Sequence, residues 1–260
     1  MAAKVWAICT NKGGVLKTTI TTNLAGILSK TKKVLIIDTD MQGNCLISFG
    51  KNPDQQKLTI YNVLVENVPV EKAIVNVHKN IDVLAANDDM DLFDFDILMN
   101  IKKYPHFFML VKGAIDKLRN KYDYILVDAP PYKGLMHGNI LSFVDKVLIP
   151  FQPETYSMRS LVKMIQSIEE FKKQHNPTLS ILGVVATLVD QRTNLHSQVL
   201  QECRKYCHHQ NVRMFETYIP RSVRFASSIA YEKLPATLTD VKNPIVMNYF
   251  DLLKEVQQFE

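Results

Sequence analysis

The run Asn11-Lys12-Gly13-Gly14-Val15-Leu16-Lys17-Thr18-Thr19 has the composition of a loop that holds phosphate. It lies between an apolar, strand-like run, Val5-Trp6-Ala7-Ile8, and a segment whose residues Leu24, Ile27 and Leu28 recur at helical spacing. Adjacent glycines let successive backbone N–H groups close around phosphate oxygens, where a β-carbon would obstruct the approach. A helix starting near Lys17 aims unpaired amides and the positive end of its dipole at the same anion. Lys17 would reach the β- and γ-phosphates as a point charge, and the Thr18 hydroxyl would complete the shell of a magnesium ion. The expected nucleotide contacts are therefore Lys12, Gly13, Gly14, Val15, Leu16, Lys17, Thr18 and Thr19.

The loop departs from the general pattern G-x-x-x-x-G-K-[ST]. Asn11 replaces the first glycine, Leu16 replaces the second, and an additional lysine, Lys12, opens the loop. Three aspartates follow apolar runs elsewhere: Asp38 and Asp40 after Val34-Leu35-Ile36-Ile37, and Asp128 after Tyr124-Ile125-Leu126-Val127.

Elements that could gather these residues are legible in the alternation of short β-branched runs with longer amphipathic ones, which signals parallel β-α-β construction. Strands are predicted at 4–9, 33–38, 81–85, 123–128, 146–150 and 181–187, and helices at 17–30, 57–66, 107–120, 157–174 and 195–207. Most of the strands are continuous Val/Ile/Leu runs, as expected where helices cover both faces of a sheet. Ligands bind such sheets at the carboxyl ends of the strands, and Lys17, Asp38, Asp40 and Asp128 all fall just past one.

A chain of 260 residues with 47% hydrophobic content can bury a large core, and no linker, repeat or charge block divides it. One domain over 1–260 is expected. Cys9, Cys45, Cys203 and Cys207 lack C-x-x-C spacing, which argues against a zinc site or a disulfide framework and fits reduced cytosolic thiols. There is no signal-like leader, and no apolar stretch approaches the length of a membrane span.

With the strands and loops in order, the chain resembles the ParA/MinD family of deviant Walker-A P-loop ATPases, and specifically its Soj-like ParA partition branch. The family loop K-G-G-x-G-K-[ST] is matched by Lys12, Gly13, Gly14, Lys17 and Thr18, with Leu16 the one mismatch. Asp38-Thr39-Asp40-Met41-Gln42-Gly43-Asn44 is similar to the family's D-x-D-P-Q-G-N switch, with Met41 for proline. Tyr122 to Pro131 resembles its Walker-B strand and Pro-Pro exit, and Asp190-Gln191-Arg192-Thr193-Asn194 and Ile219 to Arg224 echo late motifs of the branch.

The resemblance implies a single-domain α/β P-loop NTPase fold with a mostly parallel, doubly wound sheet. It implies ATP/ADP and Mg2+ as ligands and slow hydrolysis of ATP. Thr18, Asp38 and Asp128 would serve the metal, Asp40 would position the attacking water, and Lys17 would stabilise the transferring phosphate. Lys12 would insert into the partner's phosphate site in an ATP-sandwiched homodimer, and Thr187, Asp190 and Pro220 would surround adenine.

A formal charge of +5 allows an anionic partner, and Arg204, Lys205, Arg213, Arg221 and Arg224 cluster late in the chain. In Soj-like relatives such residues bind double-stranded DNA without sequence preference, so Arg192, Arg221 and Arg224 are the candidates for phosphate contacts. The chain begins at its first strand, leaving no room for an N-terminal helix-turn-helix. The implied partner is a ParB-type centromere-binding protein, and the implied location is the nucleoid in the cytoplasm of a bacterial or archaeal cell.

Membrane attachment of the MinD type is disfavoured by the terminal run Tyr249 to Glu260, whose apolar positions suit a core-packed helix. Three alternatives remain: a MinD-like or other cargo-positioning ATPase, an iron–sulfur carrier ATPase, and a nucleotide-binding regulator that hydrolyses little because of Leu16. The carrier would need a late C-x-x-C, whereas three residues separate Cys203 from Cys207.

Overall fold

The computed structural model describes residues 2–190 and 192–259, so Gln191 of the late motif lies outside the described residues. Eight strands form one sheet: β1 (Lys4–Ile8), β2 (Val34–Asp38), β3 (Ile74–His78), β4 (Ile81–Leu84), β5 (Tyr124–Asp128), β6 (Lys146–Phe151), β7 (Ser180–Val189) and β8 (Met214–Pro220). Their order is β3-β4-β2-β5-β1-β6-β7-β8, and among the described residues only the β3–β4 pair is antiparallel.

The helices are α1 (Lys17–Leu28), α2 (Asn44–Ile47), α3 (Ile60–Val65), α4 (Phe93–Met99), α5 (Leu110–Ile115) and α6 (Leu135–Phe143). They continue with α7 (Ser157–Gln174), α8 (Asn194–His209), α9 (Arg224–Ser227), α10 (Ala236–Thr239) and α11 (Pro244–Gln257), and short 3-10 and π turns join several of them.

The continuous apolar runs have the expected cause. Along β1, Val5 and Ala7 enter one core with Leu35, Ile37, Ile125 and Val127, while Trp6 and Ile8 enter the other with Val34, Ile36 and Leu126. Period-two alternation thus feeds two cores from one strand, and neither face reaches water. The first core is roofed by residues of α3 to α8, the second by α1, α10 and α11. The terminal α11 buries Val246, Tyr249, Leu252 and Val256, so its apolar stripe is core-facing as its sequence predicts.

Several boundaries differ from expectation. Neither β3 nor β8 is among the predicted strands: β3 lies at an edge, half-buried on both sides, and β8 mixes Glu216 and Thr217 among its apolar residues. Helices α4 and α6 and the one-turn helices α2, α9 and α10 are also additional. The segment 107–120 does not form one helix; the Asn139 carboxamide accepts the amides of Leu110 (2.8 Å) and Val111 (3.2 Å) and starts α5 there, and a 3-10 turn follows from Asp116.

Candidate nucleotide site

The site is assembled by register. Parallel pairing of β2 with β5 aligns Asp38 with Asp128, and pairing of β1 with β5 aligns Ile8 with the same residue. The loop leaving β1 therefore passes directly over two strand-end carboxylates. Asp38 and Asp128 are each 1% exposed.

Two residues give the loop its shape. Gly14 (φ 70°) and Leu16 (φ 68°) both adopt left-handed backbone conformations. For leucine this costs roughly 1–2 kcal/mol. Leu16 occupies the N-cap position of α1 without any side-chain cap, and so the first-turn amides have no competing side-chain acceptor. They are left for an anion. The Leu16 side chain packs against the second core, which offsets part of the backbone cost.

A cavity of about 730 Å³ opens over this turn, lined by Gly13 through Thr19, by Asp40, Met41 and Gln42 of the switch, and by Pro131 and Tyr132 beyond β5. Ala226, Ile229 and Ala230 close its far side. The Lys17 amine bends back to donate to the Lys12 carbonyl at 3.1 Å and is mostly buried. Burial lowers its pKa, while the nearby Asp128 charge opposes that shift.

Asp128 accepts from the Thr18 hydroxyl at 2.5 Å and from the Thr21 hydroxyl at 3.3 Å, and the Cys45 thiol stands 3.5 Å away. Asp38 accepts the amides of Asp40 (3.1 Å) and Cys45 (2.9 Å). Burial pushes Asp128 up to about 6, against the lowering effect of Thr18 and Lys17. Burial and then the Asp128 charge raise Asp38 well above the usual carboxylate range. Ligand atoms of Asp38, Cys45 and Asp128 lie within 4.8 Å of one another. Two buried carboxylates beside the Thr18 hydroxyl, which already faces Asp128, fit a hard divalent cation, whose charge removes the cost of ionising them together.

Asp40 differs from its neighbours in being only half-buried, with one oxygen accepting the Gln42 amide at 3.1 Å. Gly43 follows at φ 60°, where a β-carbon would meet the Ala86 carbonyl at 2.8 Å. The switch is thereby fixed at one end and open to the cavity at the other.

The structure does not bring every expected residue here. Thr187 is fully buried in β7, while Asp190 and Pro220 line a separate cleft of about 300 Å³ with Arg192, Tyr218 and Arg221. Lys12 does not line the phosphate cavity; its amine is bound by Glu154, Gln152 (3.2 Å) and Ser157 (3.4 Å) beyond β6. Of the arginines proposed for DNA, Arg224 is paired with Asp240 and Glu232 at 2.8 Å each, and Arg192 with Asp190 at 2.8 Å. Among the described residues Arg221 is the exposed one of the three without an ionic partner. Sequence reasoning missed Glu154 and Cys45. Glu154 follows the β6 strand end, the position at which other site residues occur, and that was the available signal.

A phosphate loop over in-register strand-end carboxylates, on a sheet of this order, defines a P-loop nucleoside-triphosphate-binding protein. The family model described as an AAA domain matches residues 3–181. The chain is 34% identical to the sporulation initiation inhibitor protein Soj of Bacillus subtilis, across 97% of this chain and 98% of that one. A putative plasmid partition protein of Borrelia burgdorferi bound to AMPPNP superposes with a TM-score of 0.81 at 27% identity, over 98% of this chain and 99% of that one. Cobyrinic acid a,c-diamide synthase from Mycobacterium smegmatis, with bound ATP analogue and magnesium, superposes with a TM-score of 0.82 at 26% identity, over 98% of this chain and 95% of that one. This chain belongs to the ParA family of P-loop partition ATPases.

Proposed function

We propose that this chain is a DNA-partition ATPase that binds ATP with Mg2+, closes as an ATP-sandwiched homodimer on DNA, and hydrolyses ATP when a ParB-type partner engages it. Its ATPase unit extends over residues 1–260. The carrying observation is the pair of lysines: Lys17 faces the phosphate cavity while Lys12 is held outside it, free of its own nucleotide. A cation kept out of its own site is available to a second copy's site. Nucleotide-bound relatives of the fold, with an ATP analogue and magnesium or with AMPPNP, support the choice of ligand.

The residues divide the work by position. The free amides of α1 and the Lys17 amine hold the β- and γ-phosphates, and Thr18, Asp38 and Asp128 would hold the metal, which when bound neutralises charge on the phosphates. Asp40 orients the attacking water from the half-open switch. Asp190 and Pro220, in a cleft separate from the phosphate cavity, are assigned to adenine, and Arg221, the exposed arginine without an ionic partner among the described residues, to DNA. No helix of the described residues is long and apolar enough to cross a membrane. The location that goes with the partition reading is the nucleoid in the cytoplasm. Light scattering with ATP, ADP or neither tests the reading: a dimer formed only with ATP, lost in Lys12→Ala, supports it. Dimers of equal mass in all three conditions would sink it.

Leu16 supports a second reading, a regulator that binds nucleotide and hydrolyses little. Its left-handed conformation stores strain beside the position where in-line attack is aligned.

A further inference from the structure

Residues 80–101 contain no lysine or arginine, in a chain whose formal charge is +5. Within that stretch lie Asp88, Asp89, Asp91, Asp94 and Asp96, and among the described residues none of the five is paired with a cation. The same segment exposes large apolar side chains: Leu92 by 53%, Phe95 by 61%, Leu98 by 56% and Met99 by 69%. Met90, Phe93 and Ile97 on the other side are buried in the first core. A surface helix needs only its inner stripe to be apolar, and one that is apolar on its outer side too has a further contact to make.

The outer residues recur at i, i+3 and i+4, so they form one stripe running along α4 and the turn before it. Beside the stripe opens a groove of about 600 Å³, lined by Asp94, Leu98, Phe108, Glu170 and Phe171 and also by Lys133. The carboxylates exclude the two anionic surfaces otherwise available: duplex DNA and acidic lipid would both be repelled. An apolar stripe flanked by carboxylates that have no cation partner is complementary to a segment bearing leucine-like side chains on one side and lysines or arginines beside them.

We infer that α4, with the turn before it and the adjoining groove, is the docking surface for a basic amphipathic segment of a second protein. The surface also has a mechanical route to the nucleotide. The Asp94 carboxylate accepts the Leu135 amide at 3.1 Å and packs on Gly134, at the end of the link leaving β5. Pro131 and Tyr132 of that link line the phosphate cavity. A ligand seated against Asp94 therefore bears on the segment that borders the nucleotide. The inference does not depend on the partition reading.

The test uses the full chain and a fluorescein-labelled helical peptide with one leucine face and one lysine face, followed by anisotropy. The expected result is saturable binding that weakens at least about tenfold in Phe95→Asp/Met99→Asp, with an unchanged melting temperature, and that Phe95→Leu/Met99→Leu retains. Asp88→Asn/Asp91→Asn should weaken binding less and flatten its salt dependence. Equal binding to the wild type and to the double aspartate variant overturns the inference. So does equal binding of a peptide with glutamine in place of lysine. Loss of self-association in Phe95→Asp/Met99→Asp without loss of peptide binding would assign the stripe to a second copy of this chain. A gain or loss of affinity for anionic vesicles confined to those variants would assign it to lipid, and either result overturns the proposal.

Discussion

The Lys12 amine and the Glu154 carboxylate form an ion pair that holds this lysine outside the loop in which it sits, 142 residues apart in sequence. Gln152 and Ser157 complete the cradle. Both partners are substantially exposed, with side chains 33% and 46% accessible. Such a pair is worth about 0–1 kcal/mol. The cradle is thus weak enough to be given up to a second copy's triphosphate in the proposed dimer.

Glu154→Gln should therefore favour ATP-dependent dimerisation by up to about fivefold, the factor that ~1 kcal/mol represents. Lys12→Ala should abolish dimer-linked turnover while leaving monomeric nucleotide binding in place. Sedimentation velocity in ATP across a concentration series reads both, and a Glu154→Gln dimer weaker than wild type would show the cradle to be part of the dimer rather than its competitor.

Asp128→Ala should weaken magnesium-dependent ATP binding, because it removes the carboxylate bonded to Thr18. Asp40→Ala should leave binding and dimerisation intact and abolish turnover, because Asp40 borders the cavity without being among the buried carboxylates. Calorimetric titration with ATP, with and without magnesium, beside phosphate release separates the two. Normal hydrolysis by Asp40→Ala would remove it from the reaction.

Titration of Asp128 gives a sign that can be checked. Burial raises its folded value to about 6, above an unfolded value near 3.9. The folded state therefore binds the extra proton between those values, and the contribution of Asp128 to the stability of the metal-free protein rises as pH falls from about 6 toward 4. Above about 6 the full penalty is in place. Relative to wild type, Asp128→Asn should melt at a higher temperature at pH 7 without metal, and the difference should shrink toward pH 4. Scanning calorimetry in chelator decides it; a constant difference across this range would show that Asp128 is not the titrating group.

Leu16→Gly should raise partner-stimulated turnover and change nucleotide affinity little. Binding draws on many contacts, whereas in-line attack is sensitive to displacements of about 1 Å. Glycine relieves the left-handed strain at φ 68° but gives up packing on the second core, so the effect on stability should be small. Equal turnover would show that the loop already holds its phosphates correctly with leucine, and a large gain in affinity would place the cost on binding.

Arg221→Ala should lower ATP-dependent affinity for any duplex about equally and reduce the salt slope by roughly one. Arg224→Ala should instead lower the melting temperature, since it leaves Asp240 and Glu232 without their cation. Titrations at several salt concentrations on unrelated duplexes distinguish phosphate contact from sequence reading, and a strong preference for one duplex would take Arg221 off a non-specific face.

The sequence by itself determined the phosphate loop, the strand-end aspartates and the parallel alternation. Each depends on local order: a Gly-Gly turn before a helix, or an apolar run of strand length ending in a carboxylate. It left β3 and β8 unseen because their half-exposed or polar-interrupted runs carry weak periodicity, and only pairing to β4 and β7 makes them strands. Tertiary structure alone decided which groups meet. Sheet register placed Asp38 beside Asp128, the end of β6 delivered Glu154 to Lys12, and Asp240 and Glu232 took up Arg224. Those partners are remote in sequence, and charge pairing at long separation has no local signature: a lysine in a loop reads the same whether it faces phosphate, water or a glutamate 142 residues on.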